Sequence, residues 1–544
     1  MSDITAEAVV VGSGFAGALL ADRLAARGIR TAILEAGPRV NRARAFETFL
    51  GAVVKTPESP YERSPEADFP MSDNPDHWYR QSGPDQFKST YLKAVGGTSW
   101  HWLGTCVRFL PSDFRLQSRF GRGTDWPIGY DEIEPFYVAA ERELGVAGDS
   151  ADDLGSPRSG PFPMPPIPAS WLDGVCERAL ADTPWRVRPT PQARNSEVHQ
   201  GRPACCGSAS CIPICPVAAK YDATVHLHRA EAQGAALYEQ TTATFVETGG
   251  DARVTAIRFT RPDGSRGVAR GRVYVLAANA VETPRLLLHS RSERMPDGVA
   301  NASDQVGRNL MDHPIQLSWA LAQDPVWPYR GPLSTSAIEN TRDGSFRRER
   351  SALRIEIGND GWTWPTGGAP SLAGKFARRG MRGKPLRAAV ADHAAREVRL
   401  AALTEQLPDP DNRVMLDERE RDPFGVPLPQ MHYRVGAYAR AGLAEAQRIH
   451  DGIFARLNAS EAHHSDTWQG AGHILGTTRM GTDPRRSVVD RNLRCHDHPN
   501  LFLVGGGAFP TGSTANPTLT IAALALRAAG AVTATLSELM KPTP

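Results

Sequence analysis

The sequence lacks an excess of charge of either sign. Its 544 residues include 62 Lys and Arg against 60 Asp and Glu, so the charges nearly cancel. This balance gives no reason to expect a nucleic-acid partner or a strongly anionic one. The substrate need not carry a charge.

Long apolar runs are missing as well. No stretch reaches the roughly 18 to 20 uninterrupted apolar residues that a membrane-spanning helix needs, so we expect no membrane segment in this chain. The N-terminus, MSDITAEAVVVGSG, continues directly into a predicted strand and lacks the basic and apolar regions of a secretory signal. The chain alone is therefore expected in the cytoplasm, and export would require a signal-bearing partner.

The composition indicates a large globular protein. A chain of 544 residues exceeds the size at which one hydrophobic core keeps growing, which favours two or more domains. Hydrophobic residues make up 41% and charged residues 22%, as in ordinary globular proteins. The 50 Gly and 43 Pro imply many tight turns and irregular connections, which suits an α/β enzyme with long functional loops.

The N-terminal segment predicts a strand, a glycine turn, a helix and a second strand. The apolar run Ala8–Val11 is short and β-branched, which is typical of a parallel strand buried on both faces. Gly12, Gly14 and Gly17 follow at GxGxxG spacing, and an apolar pattern of helical period comes next. The second strand ends at Glu35, eighteen residues after Gly17.

Each part of this segment has a mechanical role in binding a dinucleotide. Gly12 permits the tight turn, Gly14 lets the backbone approach a pyrophosphate, and Gly17 lets the helix lie close to the strand. The helix N-terminus presents unpaired N–H groups and the positive end of its dipole to the phosphates. Glu35 can accept hydrogen bonds from ribose hydroxyls. The segment predicts a dinucleotide site, but it does not distinguish FAD from NAD.

Six further segments follow this motif in a consistent order. Together with it, they resemble the glucose-methanol-choline (GMC) family of FAD oxidoreductases, and they span nearly the whole chain. The resemblance implies FAD rather than NAD as the cofactor. The segments are AVGGTSWHW (94–102), GRVYVLAANAVETPRLLLHS (271–290), VGRNLMDHP (306–314), EQLPDPDNRVML (405–416), HILGTTRMG (473–481) and ANPTLTIAALAL (515–526).

The resemblance implies an α/β fold. A Rossmann-like FAD-binding domain would be interleaved with an α+β substrate domain that carries an antiparallel sheet over the isoalloxazine ring. The expected segments are the first part of the FAD-binding domain (1–195), a cysteine-rich insert (196–224), the middle part of the FAD-binding domain (225–315), the substrate-binding domain (316–465) and the C-terminal part of the FAD-binding domain (466–544).

The resemblance also implies which residues contact FAD. His101 is similar to a histidine that some family members bond covalently to the flavin 8α carbon, and both covalent and noncovalent attachment remain open. One departure is Gly505, in LVGGGAFP, where the family often has aspartate. The expected contacts are Gly12, Gly14, Phe15, Ala16, Gly17, Glu35, Ala36, Gly96, Gly97, Thr98, His101, Trp102, Ala277 and Thr518.

Oxidation of an alcohol by a flavin requires a base for the hydroxyl proton while the carbon-bound hydrogen leaves as hydride. Histidine suits this role because its intrinsic pKa lies near neutral pH. His473, in HILGTTRMG, matches the catalytic histidine of the family, and Asn516, in STANPTLT, matches its second catalytic residue. Asn516 also fits a plain helix N-cap, since Pro517 and a helical pattern follow it. His313, in MDHP, is expected to be structural.

The resemblance implies a sugar, polyol or glycoside as substrate, without indicating which hydroxyl is oxidised. Four tryptophans are candidates for stacking on a sugar ring, although aromatic residues in such segments more often pack between domains. They are Trp100, Trp102, Trp362 and Trp364.

Four of the seven cysteines lie in one short run, CCGSASCIPICP (205–216). Cys205, Cys206, Cys211 and Cys215 are candidate metal ligands. Zinc sites favour C-x2-C pairs, which are missing here. A disulfide is open as well, because Cys205 or Cys206 could pair with Cys211 or Cys215. The ending CIPICP is similar to the C-x3-CP tail of bacterial ferredoxin motifs, which hold iron–sulfur clusters.

The resemblance favours the iron–sulfur cluster. The run is similar to the insert in the catalytic subunits of bacterial membrane-associated sugar dehydrogenases, which carry a cluster that is often 3Fe–4S. It implies that electrons pass through the cluster to an external acceptor such as a multihaem cytochrome c subunit. It also implies a small export or chaperone subunit and a location in the periplasm or at the periplasmic face of the membrane.

Two other functions stay open at the level of sequence. The first is an oxygen-using alcohol or sugar oxidase in which disulfides close the cysteine loop. The second is a noncatalytic, flavin-bearing redox sensor in which this loop binds zinc or a partner. The presence of both His473 and Asn516 argues against the sensor.

Overall fold

The structure is a computed structural model that describes residues 3–53, 56–359 and 368–540. Its strands, numbered along the chain, are β1 Ile4–Thr5, β2 Ala8–Val11, β3 Thr31–Leu34, β4 Arg80–Gln81, β5 Val187–Pro189, β6 Ala236–Tyr238, β7 Thr242–Thr248, β8 Val254–Thr260, β9 Arg266–Arg270, β10 Val273–Leu276, β11 Ile315–Leu321, β12 Ser336–Ile338, β13 Leu353–Gly358, β14 Glu397–Thr404, β15 Arg413–Arg421, β16 Pro427–His432, β17 Ser460–His464 and β18 Leu501–Leu503.

The α-helices are α1 Phe15–Ala25, α2 Arg42–Gly51, α3 Leu116–Phe120, α4 Tyr130–Leu144, α5 Trp171–Ala179, α6 Thr224–Ala232, α7 Asn279–His289, α8 Gly368–Arg378, α9 Gly383–Arg396, α10 Ala437–Arg456 and α11 Thr518–Leu539. Short 3-10 helices cover Pro65–Ala67, Pro75–His77, Gly97–Trp100, Pro111–Arg115, Ser345–Arg348 and Gly506–Ala508.

A five-stranded parallel sheet lies at the centre of the dinucleotide-binding region, in the order β18-β10-β2-β3-β6. Every residue of β2, β3, β10 and β18 is buried, as expected for a parallel sheet that is covered on both faces. The strands come from the N-terminal, middle and C-terminal parts of the chain. This confirms the predicted Rossmann-like domain and its assembly from separate segments.

The register of this sheet brings four loops to one edge. Val11 lies opposite both Leu34 and Leu276, and Leu276 lies opposite Leu503. The loops that follow β2, β3, β10 and β18 therefore leave the sheet together. In open α/β sheets, ligands bind outside the carboxyl ends of the strands. This edge of the sheet is therefore the candidate cofactor site.

Helix α11 covers the parallel sheet as part of a buried layer. It packs against α1 and α4, and α1 packs in turn against α6. Its 22 residues and mean hydropathy of 1.6 would suit a membrane span by length and composition alone. However, 67% of its most apolar window is buried inside the protein, so its apolar surface is explained by packing between other helices.

A six-stranded antiparallel sheet, in the order β17-β11-β14-β13-β12-β5, forms the second layer of the site. Helix α10 packs on β11, β14 and β17. This confirms the predicted α+β substrate domain with its antiparallel sheet. One strand has an unexpected origin: β5 lies within the segment 1–195 that was predicted as FAD-binding, yet it pairs with β12. The domain boundaries themselves stay predictions.

The predicted cysteine-rich insert, residues 196–224, is mostly irregular. The structure describes all of this segment, which contains no strand, and only its last residue belongs to a helix, α6. Two smaller sheets, in the orders β1-β9-β8-β7 and β15-β16-β4, complete the sheets that the described residues form.

Candidate active site

A cavity of about 460 Å³ opens at the edge where the parallel strands end. Its other wall comes from β11, β13 and β14 of the antiparallel sheet. Most of the predicted FAD contacts line it, namely Gly12, Gly14, Phe15, Ala16, Glu35, Ala36, Gly97, Thr98, His101, Trp102, Ala277 and Thr518. The cavity therefore lies between the predicted cofactor site and the predicted substrate domain.

Two of the predicted FAD contacts, Gly17 and Gly96, lie behind the cavity wall. A Cβ on Gly17 would lie 2.0 Å from the carbonyl oxygen of Gly12, so only glycine lets α1 pack onto the turn. Gly96 has φ of 97° and donates its N–H to the Ser13 hydroxyl at 3.0 Å. Both residues shape the loops that line the cavity, and they do so from outside it.

The turn after β2 has the properties of a pyrophosphate cradle. Gly12 has φ of 95°, and a Cβ there would lie 2.6 Å from the carbonyl oxygen of Ala277. Nothing lies within 4 Å of a Cβ built on Gly14. Helix α1 begins directly after Gly14 without a side-chain cap, so its first N–H groups remain available for an anion. These residues fit FAD as the sequence predicts.

Glu35 is fixed by the glycine turn. Its Oε2 accepts the backbone N–H of Ser13 at 3.0 Å and the Ser13 hydroxyl at 2.6 Å, and its Oε1 accepts the N–H of Gly37 at 2.9 Å. Burial raises the pKa of Glu35, and the bonds from Ser13 and Gly37 oppose that rise. Sequence reasoning missed Ser13, because it occupies the variable position of GxGxxG.

His101 and Gly505 also line the cavity. Nδ1 of His101 lies 3.4 Å from the carbonyl oxygen of Pro57, and burial together with the nearby Lys220 lowers its pKa to about 4. The choice between covalent and noncovalent attachment of FAD stays open. Gly505 has φ of 137°, a conformation that favours glycine over the aspartate often found in the resembling family.

His473 and Asn516 meet at the cavity wall, although they are 43 positions apart in the chain. Nδ2 of Asn516 lies 3.4 Å from Nε2 of His473. Among the hydrogen bonds of the described residues, Oδ1 of Asn516 accepts from Arg354 at 3.3 Å and from no backbone N–H of helix α11, which disfavours the interpretation of Asn516 as a plain N-cap. The Asn516 side chain therefore lines the cavity, and its predicted catalytic role stays a prediction.

The pKa of His473 lies well below its ordinary value. Loss of water around the imidazolium is the main cause, and the neighbouring His313 and Arg354 lower the pKa further. The imidazole is therefore neutral at pH 7, which a general base must be before it accepts a proton.

His313, which is expected to be structural, contacts the predicted base. Its Nδ1 lies 2.7 Å from Nδ1 of His473. Its Nε2 lies 2.9 Å from the carbonyl oxygen of Ser513 and 3.1 Å from that of Gly512. The ring is fully buried, and burial lowers its pKa to about 4. The sequence held no local signal for this pair, because its members are 160 positions apart.

Asp312 fixes the loop that carries His473. Its Oδ1 accepts the N–H groups of His313 at 2.7 Å and His473 at 3.1 Å, and its Oδ2 accepts the N–H of Ala471 at 3.2 Å and the hydroxyl of Ser89. Burial raises the pKa of Asp312 to about 6, and these hydrogen bonds oppose the rise. One carboxylate therefore joins the two segments that carry the histidine pair.

Strand β13 supplies the polar groups of the opposite wall. Arg354 is fully buried and donates to Glu339 Oε1 at 2.7 Å, to Glu356 and to Asn516 Oδ1 at 3.3 Å. Glu356 lines the cavity beside Asn516. The alternation in LRIEIG puts Arg354 and Glu356 on one face and three aliphatic residues on the core face. This pattern was a signal that sequence reasoning could have used.

The structure describes two of the four tryptophans that were candidates for sugar stacking. Trp100 is buried, and its Nε1 donates to the carbonyl oxygen of Val95 at 2.8 Å. Trp102 lines the cavity edge-on to Phe15, with ring centroids 4.6 Å apart. Trp362 and Trp364 lie outside the described residues. Trp102 is thus the described candidate at the cavity, and its stacking on a sugar stays a prediction.

The four clustered cysteines occupy different environments. All seven cysteines are free thiols; Cys211 and Cys215 are buried, Cys205 is half-buried and Cys206 is exposed. Burial raises the pKa of Cys205, and the nearby Arg194 and the backbone N–H of Gly207 oppose that rise. Three of the clustered cysteines are thus wholly or partly buried, while Cys206 faces solvent.

The spacing of these sulfur atoms disfavours a preformed zinc site. Within the described residues, no three of them lie within 4.8 Å of one another. A single zinc ion holds its thiolates closer than that, because its Zn–S bonds are about 2.3 Å long. A cluster with several irons separates its cysteine ligands more widely.

The cysteine run contacts the cofactor cavity. Ile212 and Pro213, between Cys211 and Cys215, line the cavity wall. The buried Lys220 joins the two regions, because its Nζ donates to the carbonyl oxygens of Trp100 at 2.8 Å, Trp102 at 2.5 Å and Cys211 at 2.7 Å. Burial lowers the pKa of Lys220 to about 8. No local pattern in the sequence indicates this link.

Comparison with known proteins yields matches along nearly the whole chain. Residues 167–315 and 408–525 match the GMC oxidoreductase family, and residues 10–78 match an NAD(P)-binding Rossmann-like domain. The chain is similar to the fructose dehydrogenase large subunit of Gluconobacter japonicus, with 39% identity over 97% of this chain and 98% of that protein.

Two further matches extend the comparison. The chain is 30% identical to the 6'''-hydroxyparomomycin C oxidase of Streptomyces lividus, over 97% of this chain and 91% of that protein. In fold, it is similar to a solved structure concerned with FAD modification in Aspergillus oryzae RIB40 formate oxidase. That match has a TM-score of 0.68 and 15% identity, and it covers 99% of this chain and 100% of the other.

Proposed function

Since this chain belongs to the GMC oxidoreductase family, we propose that it is an enzyme that uses FAD to oxidise a hydroxyl group of a sugar or polyol. The observation that carries the proposal is the meeting of His473 and Asn516 at a cavity that the glycine turn of the FAD-binding fold also lines. A proton acceptor and an amide donor thus stand between the cofactor site and the substrate domain.

The chemistry divides between these residues and the cofactor. When bound, FAD supplies an isoalloxazine that accepts the carbon-bound hydrogen as hydride. Nε2 of His473 accepts the proton of the substrate hydroxyl, which raises the electron density on the oxygen and assists departure of the hydride. Nδ2 of Asn516 donates a hydrogen bond to the same oxygen and orients it. An amide suits this position because it does not compete for the proton.

A neutral, hydroxyl-rich substrate fits the polar wall. The charge of Arg354 is already matched by Glu339 and Glu356, so Arg354 is poorly placed to attract an anion. Glu356 lines the cavity and can accept hydrogen bonds from hydroxyl groups, and Gln469 and Ser334 add further polar atoms. The relative from Gluconobacter japonicus is named for the oxidation of fructose, a substrate of this class.

We also propose that Cys205, Cys211 and Cys215 bind an iron–sulfur cluster of the 3Fe–4S type. When bound, such a cluster takes up and releases electrons one at a time. The burial of these three cysteines and the wide spacing of their sulfur atoms support it, and the exposed Cys206 is left out of the ligand set. The contact of Ile212 and Pro213 with the cofactor cavity brings the thiolates close to the FAD site.

The proposed cluster implies an external electron acceptor. The fructose dehydrogenase relative is described as a large subunit, which supports a complex with further subunits. We propose a multihaem cytochrome c subunit as the acceptor and a small subunit that assists export to the periplasmic face of the membrane.

Anaerobic titration of the FAD-loaded protein with single sugars tests the proposal. We expect fructose or a related neutral sugar or polyol to bleach the flavin absorbance, and we expect iron and acid-labile sulfide in protein purified without oxygen. Gluconate serves as an anionic comparison. Hydrogen peroxide formation in air by a protein without iron would instead support an oxygen-using oxidase, the activity for which the Streptomyces lividus relative is named.

The lowered pKa of His473 predicts an unusual pH dependence. Because the neutral imidazole persists to lower pH, we expect flavin reduction by substrate to stay level as the pH falls through 6.5, the ordinary pKa of histidine, and to decline only below it. Stopped-flow absorbance over a pH series measures the rate, and flavin fluorescence checks that FAD stays bound. A decline centred near the ordinary histidine pKa would contradict this expectation.

A further inference from the structure

The hydrogen bonds around His313 determine which of its nitrogens carries the proton. Nε2 faces the carbonyl oxygens of Ser513 at 2.9 Å and Gly512 at 3.1 Å. A carbonyl oxygen only accepts hydrogen bonds, so Nε2 must carry a hydrogen. A buried imidazole whose pKa is lowered to about 4 is neutral at pH 7 and has only one N–H. Nδ1 of His313 is therefore an acceptor.

This assignment fixes the state of His473. The two Nδ1 atoms lie 2.7 Å apart and share one hydrogen. Since Nδ1 of His313 accepts, that hydrogen belongs to Nδ1 of His473. The neutral His473 therefore keeps a free lone pair on Nε2, the nitrogen beside Asn516.

The orientation of the Asn516 amide also indicates that Nε2 of His473 is unprotonated. The Arg354 guanidinium lies 3.3 Å from Oδ1 of Asn516, and a guanidinium only donates. The amide is thereby oriented with Nδ2 toward Nε2 of His473, at 3.4 Å. A donor faces Nε2, as an unprotonated nitrogen requires.

We propose that His313 is a positioning residue that holds His473 in its Nδ1–H tautomer and thereby makes Nε2 the proton acceptor of the reaction. The inference rests on the proposed function, because it assumes that His473 is the base. Within the described part of the chain, carbonyl groups and not a carboxylate fix the state of His313, so the histidine pair carries no charge of its own before reaction.

The same contact stabilises the base after it has reacted. Once Nε2 accepts the substrate proton, His473 is a cation, and its Nδ1–H bond to His313 becomes charge-assisted. The charged groups around the pair are Arg354 beside Asn516, Glu356 beyond Arg354, Asp312 beneath the backbone and Asp113 near His313. A neutral acceptor at Nδ1 helps the cation less than a carboxylate would, so this bond does not offset the burial that is the main cause of the low pKa of His473.

Three substitutions of His313 in the FAD-loaded protein test the proposal. His313→Leu removes the acceptor and frees the tautomer, so we expect the rate constant of flavin reduction to fall about 10²-fold or more, with KM and FAD content nearly unchanged. His313→Asn places an oxygen near the original Nδ1 and should recover a rate within about tenfold of the native rate. His313→Asp should move the acidic decline of the pH profile to higher pH, since a carboxylate favours the imidazolium.

Two kinetic results would overturn the positioning role of His313: equal reduction rates in the Leu and Asn variants, or an unmoved pH profile in the Asp variant. If the Leu variant loses FAD, the comparison of the Asn and Asp variants with the native protein decides. Nitrogen-15 NMR of histidine-labelled native protein reports the His473 tautomer without turnover, and an Nε2–H form would overturn the inference. If no sugar reduces the flavin of the native protein, the proposed function fails, but the tautomer assignment is unaffected.

Discussion

His473→Ala is expected to lower the rate of flavin reduction by substrate about 10³-fold or more while FAD stays bound. General base catalysis typically contributes factors of 10² to 10⁴, and this substitution also removes the hydrogen-bond partners of His313 and Asn516. Anaerobic stopped-flow absorbance measures the rate, and the ratio of flavin to protein absorbance measures the bound FAD. Bleaching at the native rate would show that another group accepts the proton.

A matched histidine provides the control for this variant. His463 lies exposed on strand β17, where its ring stacks on Trp319 with centroids 5.2 Å apart. It does not line the cavity. His463→Ala should therefore reduce its flavin at the native rate, so that a loss confined to His473→Ala reflects the site and not the removal of a histidine in general.

Cys211→Ser is expected to separate the two halves of the reaction. Sugar should still bleach the flavin at the native rate, because Cys211 does not line the cavity. Turnover with a cytochrome c acceptor should fall about tenfold or more, and the iron content should fall with it, because serine replaces a buried thiolate of the proposed cluster. Rapid-mixing absorbance, iron analysis and electron paramagnetic resonance measure these effects.

Cys206→Ser is the matched control, because Cys206 lies in the same run but is exposed. We expect native iron content and native turnover from it. If both variants keep native turnover with the acceptor, the cysteine run takes no part in electron transfer. If both lose iron equally, the exposed thiol is a ligand and the proposed set of three is incomplete.

The sequence predicted those parts of the fold and site that depend on local patterns. The strand, glycine turn and helix from Ala8 to Ala25 follow from apolar runs and spacing, and the structure confirms them. The meeting of His473 with Asn516 could be expected only from the family resemblance, because nothing local to either residue indicates the other. Their roles in catalysis stay predictions.

Other parts of the site depend on tertiary contacts that no local pattern encodes. His313 reaches His473 across 160 positions, and Lys220 reaches Trp100 across 120. Strand β5 has three residues, too few for a periodic signal, and it is recognised only through its pairing with β12. Arg354 could have been found from the sequence, because the alternation of polar and apolar residues in its strand was visible. The sequence analysis did not recognise that this alternation places Arg354 and Glu356 on the face toward the cavity.

Lys220 has a consequence for how the protein tolerates damage. One ammonium group is bonded to the carbonyl groups of Trp100 and Trp102 on one side and of Cys211 on the other. Disorder in the cysteine loop would therefore leave an uncompensated cation against the turn that precedes His101. We therefore expect damage that disorders the loop of the proposed cluster to weaken FAD binding as well, whereas a substitution such as Cys211→Ser, which keeps the carbonyl bond from Cys211 to Lys220, should leave FAD in place.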